Sequence, residues 1–169
     1  MNGELSNLNL ESKTFLIGNR FPNRASLAIL IDSVKCQEYY EIAMALYEER
    51  KYEKDIMIFS ADNNNPVLIP PSAVYYYNYL EYYRGDVLAL TLRGALNARN
   101  SGVNFGKKYW YISDISEVSS NKHFIELFNF FDKIFFVNEE VRKVFSSIVN
   151  QIDLGKTEIA DLDIILNKV

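Results

Sequence analysis

Ser26-Leu27-Ala28-Ile29-Leu30-Ile31-Asp32 is the stretch on which the fold turns. Leu27 to Ile31 is apolar without interruption, the pattern of a strand buried on both faces, and it stops abruptly at an aspartate. Beyond Asp32 the period changes. Tyr39, Ile42, Ala43 and Leu46 recur at helical spacing, which predicts a helix from about Glu38 to Tyr52. The alternation then repeats. Ile56–Phe59 reads as a second strand, closed by Ser60-Ala61-Asp62 and an Asn/Pro loop. Pro70-Pro71 suits the first turn of a helix over Ser72–Tyr83. Val87–Leu90 is a third strand, and Thr91 can cap the short helix that runs from Leu92 to about Arg99. Tyr109–Ser113 and Ile134–Val137 are the fourth and fifth strands. Phe124, Leu127, Phe128 and Phe131 mark the helix between them. Asn138 caps the last clear helix, with Glu139 and Glu140 at its positive end and Val141, Val144, Phe145, Ile148 and Val149 on its inner side.

Strand and helix alternate five times, which implies a parallel sheet with helices on both faces. The expected fold is α/β: a single three-layer, doubly wound, Rossmann-like domain with a mostly parallel sheet of five or six strands. Residues 1–20 and 151–169 fit the alternation poorly and read as peripheral segments. Within them Thr14–Ile17 suits an extra edge strand, and Asp161–Leu166 suits either a strand or a helical turn.

The 169 residues are 49% hydrophobic and 14% aromatic, too apolar for disorder and enough for one ordinary core. A net charge of -4 offers no basic footprint, so general nucleic-acid binding is not expected. No apolar run reaches the length of a membrane span, and the N-terminus lacks the features of a signal peptide. One cysteine, Cys36, forms no internal disulfide and reads as a packing residue. These features together point to a cytoplasmic protein. The frequent Asn, Lys, Ile and Tyr suit an AT-rich genome, and a viral chain would sit in the host cytoplasm or the virion.

In a sheet of this kind ligands bind at the carboxyl ends of the strands. Asp32, Asp62, Thr91-Leu92-Arg93, Asp114 and Asn138-Glu139 stand there. The aspartates could shape a cleft, act as a base or form a metal-binding rim, or they could simply serve the strand-to-helix turns. Asp114 stands out because it closes the aromatic strand Tyr109-Trp110-Tyr111 and is followed by Glu117. Thr91 and Arg93 could receive a phosphate or carboxylate, and a plain capped helix with a solvated arginine fits equally well. The sequence specifies no cofactor. No G-x-G-x-x-G follows the first strand, and Gly102–Lys108 lacks the residues and position of a phosphate loop. His123, the sole histidine, cannot build a histidine metal cluster, and Asp161-Leu162-Asp163 reads as surface acid. On the expected helix over 72–83, Tyr75, Tyr79 and Tyr82 share a side. They are candidates for a homo-oligomeric or other protein interface, with sugar stacking as the sharper alternative.

Gly85-Asp-Val-Leu-Ala-Leu-Thr91 through Lys107-Lys-Tyr-Trp-Tyr-Ile-Ser-Asp114 resembles the amino-terminal lobe of GT-B glycosyltransferases, most of all the glycosyltransferase-like proteins of tailed phages. Phe131-Asp-Lys-Ile-Phe-Phe-Val-Asn-Glu-Glu-Val-Arg-Lys-Val-Phe145 is similar to the next strand–helix step of that lobe. The resemblance implies a sugar or sugar-nucleotide ligand, with Asp114 as an acceptor-side base and the Thr91–Arg93 turn facing the cleft. The family's second lobe, which holds the donor, and its donor-binding motifs have no counterpart here. Transfer would then need a second chain to supply a donor lobe. Two other readings stand beside this one: a non-catalytic protein–protein interaction module, such as a viral accessory or structural protein, and a small metal-dependent enzyme using the aspartate rim.

Overall fold

The computed structural model describes residues 24–33, 35–62, 73–114, 123–148 and 153–169. Strand β1 (Ala25–Ile31) is fully buried from Leu27 onward and lies at the heart of a seven-stranded sheet. Its neighbours are β2 (Lys54–Ser60) on one side and β4 (Asp86–Ala89) on the other. Beyond β2 lies β3 (Ala73–Tyr76). Beyond β4 lie β5 (Lys108–Ile112), β6 (Lys133–Phe136) and β7 (Thr157–Ile159). The order is β3-β2-β1-β4-β5-β6-β7, and every pairing is parallel. This is the doubly wound, Rossmann-like α/β arrangement expected, with seven strands among the described residues rather than five or six.

Period-two alternation divides the strands between two cores. On one face Leu30, Phe59, Ala89, Trp110 and Phe136 meet α2 (Leu92–Asn100), α3 (His123–Phe130) and α4 (Glu139–Ile148). On the other, Ile29, Ile58, Leu88 and Phe135 lie with Ala43 and Leu46 of α1 (Gln37–Arg50) and Ile165 of α5 (Leu162–Lys168). Chain direction accounts for the division. The path steps one way from β1 to β2 and the opposite way from β4 to β7, and crossovers of one hand then place their helices on opposite faces. Phe145 is the hub of the first core, its ring centroid 5.2 Å from Phe136, 6.1 Å from Phe124 and 6.2 Å from both Trp110 and Phe128.

Three expectations need correction. The segment read as a helix over 72–83 is strand β3 followed by a 3₁₀ helix, Tyr77–Tyr82, so Tyr75, Tyr79 and Tyr82 do not share a helical face. Val144 is 40% exposed rather than facing inward, although Phe145 next to it is fully buried. The chain after Gln151 is also less peripheral than it reads. Its strand β7 pairs with β6, and α5 packs beside α1, with Asp161 accepting a hydrogen bond from the Ile164 amide (2.9 Å) as an N-cap. Thr14–Ile17 and Glu117 lie outside the described residues, as does the side chain of His123.

Candidate functional site

The order in which the chain adds strands reverses between β1 and β4, the switch point of this parallel sheet, and the residues that close these strands are knit together. The Leu90 amide donates to the Leu30 carbonyl (3.0 Å), and the Ala61 amide to the Asp32 carbonyl (3.2 Å). Thr91 sits at the junction of β4 and α2 and is 2% exposed. Its hydroxyl donates to Asp32 Oδ1 (2.6 Å) and accepts from the Gly94 amide (3.1 Å), so one side chain both caps α2 and ties it to β1. The close approach depends on Gly94. A Cβ there would lie 2.9 Å from Leu30 Cβ and 3.0 Å from the Leu30 carbonyl.

Asp62 is held in the same manner one strand away. Its Oδ2 accepts a hydrogen bond from Ser33 Oγ, and its amide donates to Ser60 Oγ (3.3 Å). Asp32 and Asp62 are therefore each fixed by a hydroxyl from a neighbouring turn. Asp114, at the end of β5, is exposed and separated from Asp32 by the whole of β4. Among the described residues no three carboxylate, thiol or imidazole side chains converge as a metal site.

Two hollows flank the start of α2. The first is a slot of about 10 Å³ between β4 and β5, where Thr91, Leu92, Ser113 and Asp114 meet Tyr39 of α1. It has room for about one water. The second is a cleft of about 310 Å³ on the β2–β3 side, lined by Ala61, Tyr76, Tyr77, Asn78, Arg93 and Asn97. That volume is at the lower end of the range for small-molecule sites. Tyr77 forms its wall and donates its hydroxyl to the Ile31 carbonyl (2.8 Å). Burial raises the Tyr77 pKa well above the ordinary tyrosine value; the Asp32 charge adds to the effect and the Arg93 charge opposes it. Asn97 donates its side-chain amide to the Arg93 carbonyl (2.8 Å), one helical turn back.

The predicted rim residues thus fall into separate groups. Asp32 joins Thr91, Asp62 joins Ser33, Asp114 shares the slot with Thr91, and Arg93 faces the cleft on the other side of α2. Tyr75, Tyr79 and Tyr82 pack, half-buried, against the first core. Cys36 precedes α1 as its N-cap residue without a side-chain cap bond. Reading the sequence missed Tyr39, Tyr76, Tyr77, Asn78 and Asn97. Of these, Asn97 alone left a local signal, its i+4 spacing from Arg93.

The chain matches no protein-family model, no curated protein and no solved structure. No helix among the described residues is long and apolar enough to cross a membrane.

Proposed function

We propose that this chain is a single-lobe, glycosyltransferase-like protein that binds a sugar or nucleotide-like ligand at the carboxyl rim of its sheet. The observation that carries the reading is the 310 Å³ cleft beside the switch point, where two tyrosines, two carboxamides and a guanidinium line one hollow. Aromatic rings offer a face to the C–H surface of a sugar or to a base, and planar amides pair with hydroxyls and base edges. Asp114 stands across the first turn of α2, in a slot that a single hydroxyl or water can enter. There it would serve as a general base on the acceptor side, with transfer dependent on a donor lobe from a partner chain.

The test is isothermal calorimetry and amide chemical-shift mapping with a panel of sugars, nucleosides and sugar nucleotides. Binding should perturb Ala61, Tyr76–Asn78 and Arg93–Asn97. Tyr76→Ala should weaken it, whereas Asp114→Asn should leave affinity unchanged and abolish any transfer seen once a partner is added. Saturable binding that maps elsewhere, or none across the panel, would sink the proposal. A homo-oligomer or protein interface is the second reading, favoured by the position of β3 as the terminal strand of the described sheet. Sedimentation showing a stable dimer that Tyr75→Lys dissolves would support it.

A further inference from the structure

We propose that the ligand of the β2–β3 cleft carries an oxyanion, phosphoryl or carboxylate, and that Arg93 is its charge partner; this rests on the ligand-binding reading above. Two independent observations carry it. The first concerns the arginines. Arg24 donates to the Lys51 carbonyl, Arg84 to the carbonyls of Glu81 and Tyr83, and Arg50, Arg99 and Arg142 pair with Glu53, Glu126 and Glu139. Among the described residues Arg93 alone has a guanidinium with neither a hydrogen bond nor an ion pair in the chain. The second is the lining of the cleft. Arg93 is its one charged member, and the other residues that line it are Ala61, Tyr76, Tyr77, Asn78 and Asn97, with no acidic residue among them.

The nearby acids do not cancel this charge by pairing. Asp32 accepts from Thr91 and Asp62 from Ser33, and neither lines the cleft. A guanidinium presents a planar fork of donors that matches two oxygens of a phosphoryl or carboxylate group. Asn97, whose amide is steadied on the Arg93 carbonyl, keeps a second N–H to add to that fork. Tyr76 and Tyr77 are left to meet the carbon frame that bears the anion.

Inorganic phosphate and acetate, each titrated against chloride at matched ionic strength with amide shifts recorded, test the proposal. The expected result is saturable change at Ala61, Tyr76–Asn78 and Arg93–Asn97. Arg93→Gln should weaken it about tenfold or more, and Arg93→Lys should weaken it less. Phosphate binding tighter than acetate identifies the phosphoryl source, and the reverse order identifies the carboxylate. Arg93 is exposed, so both variants should melt as the parent does, and their melting curves check this. Diffuse, unsaturable shifts, or equal affinity in Arg93→Gln, overturn the assignment. If neutral sugars or nucleosides still bind the cleft in Arg93→Gln while phosphate and acetate never do, the oxyanion claim alone falls. If nothing binds there, the broader reading falls with it.

Discussion

Thr91 does two jobs with one oxygen, donating a hydrogen bond to Asp32 and accepting one from the Gly94 amide. The side chain is buried, so replacing it by an apolar isostere strands both partners. Thr91→Val should lower stability by about 1–2 kcal/mol, read as a shift in urea midpoint, and Thr91→Ser should recover most of it. A Thr91→Val variant as stable as the parent would mean that the two bonds contribute nothing net. The capping half of this arrangement was legible in the sequence, because a threonine directly before a helical pattern is an N-cap signal. The Asp32 half was not. It needs β1 and β4 to be neighbours, and nothing local in either strand announces its partner.

At the scale of elements, the tyrosine-rich segment shows why one reading failed. Tyrosines spaced i, i+4 satisfy a helical template, but Val74-Tyr75-Tyr76 is also a run of strand formers. Pairing with β2 decided between them, with Phe59 opposite Tyr75 and their ring centroids 5.5 Å apart. The 3₁₀ helix that follows is pinned by Leu80 at 1% exposure. Leu80→Ala should cost about 2–5 kcal/mol in chemical denaturation. A loss below that range would mean that this segment is only loosely attached to the core. Tyr76, Tyr77 and Asn78 reach the cleft only because β3 lies beside β2, so their role could not be read from spacing. The five central strands were legible as short apolar runs bounded by turn residues, and α1 by a helical period sustained over fourteen residues. Strand β7 and helix α5 were not, since three and seven residues are too few to tell strand from helical turn.

Over the whole molecule, hydroxyls buried in the sheet and beside it set the behaviour in alkali. Burial raises the pKa values of Tyr77, Tyr83, Tyr109 and Tyr111 above the ordinary value of 10.0, with nearby carboxylates adding to the effect. Unfolding releases these groups to ionise at that ordinary value. The stability they contribute is therefore complete below about pH 10 and is lost progressively as the pH rises toward the raised values. Tyrosinate absorbance should consequently show a fraction of the tyrosines ionising only together with the loss of far-ultraviolet circular dichroism. Smooth ionisation of all of them before any unfolding would contradict the burial. The all-parallel pairing has a further consequence, in time rather than energy. With no hairpin anywhere in the described sheet, no two adjacent strands can zip together from a turn. Leu27 finds its β4 partner, Asp86, only after the intervening chain has folded back across the sheet. On the ribosome, β1 must wait with one edge open until β4 has emerged, and for that interval its apolar run is exposed to mispairing.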